Sequence, residues 1–218
     1  MIKKFVPSLF ILVGILVLLY PTLADRYEGY RQQRILQAWE SNLRQLDMPE
    51  PEMPAVSSPT SAAQPDKPKT KPAAAKTPTA IGDAPVEGLL AIEAIDLRLP
   101  IVTDATPAHL KLSVASMLHT GKPGQVGNYA IAGHRNRTYG KNFNRLDEVK
   151  IGDVIVVETK EATYRYVVDS KQYVLPTQVE VLEGNGRDRE ITLITCHPMK
   201  NPTHRLIVKG KIQEKSTK

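Results

Sequence analysis

The stretch Ile191-Thr-Leu-Ile-Thr-Cys-His-Pro198 governs how the rest of the chain is read. Ile191 to Thr195 is a run of β-branched and aliphatic residues, the composition of a strand. Pro198 has no N–H to give a ladder, so pairing must stop there. Cys196 therefore stands at a strand exit, at the rim of its sheet. It is the only cysteine in 218 residues, so no intramolecular disulfide is available. Taken alone, such a thiol is either a small buried hydrophobe or a nucleophile.

Two other residues sharpen the choice. Asn128-Tyr-Ala-Ile-Ala-Gly-His134 also reads as a strand ending on a polar residue, and Gly133 lets the backbone there approach another element closely. Taken singly, His134 reads as a surface residue. Beside a thiol, an imidazole can remove the proton and later protonate a leaving amine. Arg205 opens the last strand-like run, nine residues after Cys196. The turn through Pro198, Asn201 and Pro202 can bring it back beside the cysteine. There a guanidinium offers fixed donors to a developing oxyanion; elsewhere it is an ordinary solvated arginine.

Around these residues the chain from 86 to 214 is rich in short strands. Leu89–Ile95, Leu99–Val102, Tyr129–Ala132, Val154–Glu158, Thr163–Val168, Ile191–Thr195 and Leu206–Lys211 are separated by turn residues such as Gly152-Asp153 and Gly184-Asn-Gly186. Helical signals are confined to Pro107–Leu112 and Asn142–Leu146. The pattern predicts an all-β, closed or nearly closed barrel with a few short helices.

The residues before it are of three kinds. Lys3 and Lys4 precede an uncharged run, Phe5 to Ala24, about long enough to cross a bilayer as a helix. The lysines orient the remainder outward. Residues 1–24 thus read as a signal anchor. A cleavable signal peptide, with Thr22 and Ala24 as small residues at the cleavage site, is the rival, and both readings export the chain. Residues 25–47 carry Tyr27, Tyr30, Ile35, Trp39, Leu43 and Leu46 at near-helical spacing, which suits a helix on the lipid surface or a plain stalk. Residues 48–85 hold nine prolines among Ala, Ser, Thr and Lys and bury too little to fold. They read as an extended spacer.

The formal charge of +6 is scattered, with no basic run interleaved with aromatics, and does not suggest nucleic acid. It suits an anionic membrane or wall surface. A metal site built from Cys196, His197, His204 and His134 fits no usual zinc spacing and has only one thiolate.

Thr192-Leu-Ile-Thr-Cys196, with Arg205 at the head of the next strand, resembles the signature of sortases. Ala132-Gly-His134 is similar to that family's histidine segment, and Thr106-Pro107 and Val181-Leu182 fall where the family has comparable features. The segment Gly133-His-Arg-Asn-Arg-Thr-Tyr-Gly140, with Phe143 and Leu146, is most similar to class D sortases of Gram-positive bacteria. The resemblance implies an eight-stranded sortase barrel. It also implies a cysteine transpeptidase, with Cys196 as nucleophile, His134 as general acid/base and Arg205 as oxyanion clamp. Ala132, Val181, Leu182, Thr192 and Ile194 match positions lining the groove for an LPxTG- or LPxTA-like sorting signal of surface proteins. The acyl group would pass to a cell-wall precursor amine, outside the cell membrane. No cofactor is implied. The acidic loop of calcium-dependent class A relatives has no counterpart, because Ser113 to Asn128 contains no Asp or Glu. A peptidase using water, or a stalked adhesin without chemistry, are the competing readings.

Overall fold

The computed structural model describes residues 13–20, 23, 26, 27, 30, 37, the backbone of 80–81, and residues 84–213. Residues 13–20 are helical with exposed apolar side chains. Among the described residues no helix is long and apolar enough to cross a membrane. Most of the expected anchor, surface helix and spacer lies outside the described residues.

Nine strands follow. A two-residue β1 (Ala80–Ile81) pairs only with the start of β2 (Ala84–Ile92). The others are β3 (Leu97–Val102), β4 (Val114–Ser116), β5 (Gly127–Ala132), β6 (Val154–Glu158), β7 (Thr163–Val174), β8 (Arg189–His197) and β9 (His204–Lys211). Strands β2 to β9 run round the ring in the order β2-β3-β4-β5-β8-β9-β7-β6, and β6 pairs back onto β2. That closes an eight-stranded barrel, as the sequence pattern and the resemblance predicted. Closure leaves no free edge in the ring.

Alternation fills the interior. Tyr129 and Ile131 of β5, Ile155 and Val157 of β6, Ile191 and Leu193 of β8, and Leu206 and Val208 of β9 meet in one core. Residues of opposite parity, Cys196 and Arg205 among them, face outward. The short helix α1 (Pro107–Leu112) starts as its residues dictate. Thr106 Oγ1 accepts from His109 N at 3.2 Å, and proline takes the first turn, where no N–H is needed. Within this helix His109 lies with Nδ1 2.9 and 2.8 Å from the Thr103 and Asp104 carbonyls.

The structure extends the sequence reading in three places. The β2 strand begins at buried Ala84 and stops at Ile92, because Glu93–Ile95 forms a 3₁₀ turn that ends on Asp96 at φ 48°. The helical turn expected at Asn142–Leu146 lies instead at Leu146–Glu148, since Asn142 adopts a left-handed φ of 48°. The β7 strand runs on to Val174, through Asp169-Ser-Lys-Gln172, whose polarity hides it. A bulge between Val168 and Ser170 shifts the register there. One inserted residue exchanges the faces, so Lys171 and Tyr173 now share the inward parity of their partners Val208 and Leu206.

The core sets the stability. Leu193→Ala, at a fully enclosed site, is expected to cost about 2–5 kcal/mol in urea unfolding. Leu118→Ala, on an exposed loop, should stay within about 0.5 kcal/mol.

Candidate active site

Cys196 and Arg205 are directly opposed across the antiparallel β8–β9 pair. Opposed residues share a face and hold their Cβ atoms about 4.5–5.5 Å apart. Both are half-buried. The Arg205 guanidinium turns back at its base, Nη1 donating to the His204 carbonyl at 3.1 Å. Arg205 also opposes Val174 on β7, so it stands in the middle of three strands.

His134 arrives from the other side of β8. Strands β5 and β8 are parallel and in even register, from Gly127↔Arg189 to Ala132↔Ile194. Past the end of β5, Gly133 N donates to the Ile194 carbonyl at 3.0 Å and Thr195 Oγ1 donates to the Gly133 carbonyl at 2.8 Å. Continued one more step, that register leads to His134 opposite Cys196; His134 itself lies two residues past the end of β5 and is exposed. Gly133 is required for this approach. A Cβ there would meet Phe143 Cδ2 at 2.6 Å and Val114 Cγ1 at 2.9 Å. The sequence inference that Gly133 serves a close contact thus has a specific partner.

The outer face continues from Cys196 through half-buried Ile194 and Ala132 to Thr192 and Asn128. Asn128 Nδ2 donates to the Leu182 carbonyl at 2.9 Å and to that of Val181 at 3.4 Å, fixing the 3₁₀ turn Val179–Leu182 over this face. Val181 and Leu182 are half-buried beside it. Thr192 differs from the expectation that it lines a groove. It is fully enclosed, and its hydroxyl donates to Asn128 Oδ1 at 2.7 Å. It braces the turn from beneath, because a hydroxyl with no access to water must find an internal partner.

The remaining histidines lie apart from this face. His197 has the opposite parity to Cys196; its Nδ1 lies 2.7 Å from Arg135 Nη1 and its ring centroid 4.2 Å from that of Tyr173. His204 Nδ1 lies 2.9 Å from the Thr203 hydroxyl. Among the described residues no three His, Cys, Asp or Glu side chains gather as a metal set. Asn128 and Arg135 escaped the sequence reading. Only the adjacency of Arg135 to His134 could have pointed to it.

This geometry can be set against known proteins. Residues 90–213, well over half of the chain, match the family model of the sortase domain. The chain belongs to the sortase family. It is 36% identical over 125 residues to Sortase A of Bacillus anthracis, covering 57% of this chain and 59% of that relative. Among solved structures, it is similar to a lid mutant of Sortase A from Corynebacterium diphtheriae. That likeness has a TM-score of 0.58 at 30% identity and covers 61% of this chain and 72% of the other. It is also similar to a Sortase D5 transpeptidase of Clostridium perfringens, with a TM-score of 0.55 at 28% identity, covering 60% and 80%. The chain spans less than two thirds of the length of curated Sortase A relatives it matches, 59% and 60% for those of Bacillus anthracis and Listeria monocytogenes.

Gly133→Ala tests how the sortase barrel seats its histidine segment. It should destabilise the domain by about 1–3 kcal/mol, because Phe143 and Val114 are walled in by core. Thermal unfolding would show it.

Proposed function

We propose that the chain is a cysteine transpeptidase. It would cleave a Leu-Pro-x-Thr type sorting signal and pass the acyl group to a cell-wall amine. What supports the reading is the direct opposition of Cys196 and Arg205 across β8–β9, with the parallel β5–β8 register running toward His134, two residues past the end of β5. Cys196 is the nucleophile: its sulfur attacks the Thr carbonyl, and Arg205 with a backbone N–H steadies the oxyanion. Collapse breaks the peptide bond, and His134 gives the departing amine its proton. The acceptor amine then attacks the thioester carbonyl and gives a proton to His134, and the C–S bond breaks to release Cys196 as the thiolate. An exposed imidazole suits that second step, since the acceptor must enter from solvent.

Size supports the substrate class. Cys196 and Thr192 are four residues apart on β8, about 13 Å along the strand, and an extended tetrapeptide has the same length. Ala132, Ile194, Val181 and Leu182 offer apolar surface along that path. Thr192 and Asn128 hold its far wall in place. On the segment 133–140 the chain resembles class D sortases. We assign residues 1–24 as a single membrane anchor, 25–47 as a juxtamembrane helix, 48–85 as a spacer and 86–214 as the catalytic domain outside the membrane. The proline-rich spacer, at about 3 Å per residue, would let that domain stand up to roughly 100 Å from the lipid.

Transfer of a sorting peptide onto an amine, measured alongside hydrolysis, tests the assignment. Cys196→Ala should fall to background, and His134→Ala should lose about 10²–10⁴-fold. Arg205→Lys keeps the charge but not the planar fork and should lose about 10²–10³-fold. Hydrolysis that no amine diverts would mark a peptidase instead. A second measurement concerns calcium: with no carboxylate between Ser113 and Asn128, chelator should leave the transfer rate unchanged. Several-fold activation by millimolar calcium would contradict the reading of that loop.

A further inference from the structure

Arg135 directly follows His134 and has the opposite parity, so it turns away from the outer face toward the mouth of the barrel. Its side chain is 6% exposed. Nη1 lies 2.7 Å from His197 Nδ1, and Nη2 lies 2.6 Å from Asp147 Oδ2. Nε is buried with no hydrogen-bond partner among the described residues. A guanidinium only donates, so His197 Nδ1 is the acceptor in this contact. His197 in turn directly follows Cys196. The residue after His134 is thus tied, side chain to side chain, to the residue after Cys196, across 62 positions of sequence.

The tie begins where the backbone ladder gives out. The last β5–β8 contacts are made by Gly133, one residue short of His134. Beyond it the chain leaves into the 134–149 loop, where the Phe143 N–H donates to the His134 carbonyl at 3.1 Å. That loop is anchored from β7, with Lys171 Nζ donating to the Asp147 and Val149 carbonyls at 3.0 and 2.9 Å. Tyr173, brought to the same side by the β7 bulge, packs against the His197 ring with the two planes tilted by 44°. Stability alone gives little reason for the arrangement. Enclosing an arginine and leaving one of its donors unpaired costs desolvation that an apolar side chain of the same length would not.

We propose that Arg135 is a positioning residue: by gripping His197 and Asp147 it fixes the distance and orientation of His134 relative to Cys196. The inference rests on the assignment of those two residues as acid/base and nucleophile. It also explains why histidine, a side chain with an acceptor nitrogen, follows the cysteine.

The test uses the full chain with Arg135→Met, His197→Leu and His197→Gln, the last retaining an acceptor for the guanidinium. Peptide transfer, thermal unfolding and the pH profile of Cys196 alkylation by iodoacetamide are measured on each. Arg135→Met and His197→Leu should lower kcat about 10–100-fold, the scale of a misplacement near 1 Å. KM should change by less than about twofold, since the peptide's own contacts are untouched. Tm should move by less than about 4 °C. In both variants the alkylation profile should shift toward that of His134→Ala. His197→Gln should retain most of the rate, and the double variant Arg135→Met with His197→Leu should be no worse than either single. A wild-type kcat and alkylation profile in Arg135→Met would overturn the proposal. So would losses that merely follow Tm, additive effects in the double variant, or equal loss in His197→Gln and His197→Leu. Wild-type chain that transfers no peptide, or His134→Ala with an unaltered alkylation profile, would reject the underlying assignment instead.

Discussion

The parallel pairing of β5 with β8 is the constraint on which the rest of the domain depends. Parallel neighbours cannot be joined by a tight turn, so the chain must travel the length of the barrel and return. That return occupies residues 133–188 and contains the 134–149 loop, β6, β7 and the Val179–Leu182 turn. The Val179–Leu182 turn over the candidate groove is therefore part of that crossover connection. The antiparallel β9 on the other flank of β8 then supplies Arg205 from only nine residues away. One strand receives its two chemical neighbours by very different routes.

Parity divides the polar residues at this end of the barrel into two sets. Cys196, His134 and Arg205 belong to the outward set; His197, Arg135, Lys171 and Tyr173 belong to the set over the mouth. The first is the proposed catalytic set, and the second holds the connecting loop on the barrel. The division is secured by small features: the absence of a Cβ at Gly133 and the extra residue near Asp169. Each is worth little energy compared with the core, yet each determines which side chains can meet.

What the sequence made legible follows from locality. Cys196 could be placed at a strand exit because Pro198 stops the ladder two residues later, and Arg205 because its own strand begins there. The barrel followed from β-branched runs and turn residues. The three-residue β4 and the polar half of β7 were missed, because neither carries a period long enough to detect. Thr192 was assigned to the groove from a motif, whereas its burial depends on Asn128, 64 positions away. Arg135, Asp147 and His197 were unreadable as a unit for the same reason.

Long-range closure has a temporal side. The ring is completed by β2 pairing with β6, which joins Leu89, Leu90 and Ala91 to Glu158, Val157 and Val156. The segments that carry Cys196 and His134 come together only through β5 and β8, again more than sixty residues apart. Topologies dominated by such distant pairings fold slowly, commonly in milliseconds to seconds, because loop entropy is spent before contacts reward it. Assembly of the thiol–imidazole pair is consequently a late event in the life of each molecule. While the barrel is still open, the local β8–β9 pairing can already set Arg205 opposite Cys196, whereas the segment that carries His134 has yet to arrive.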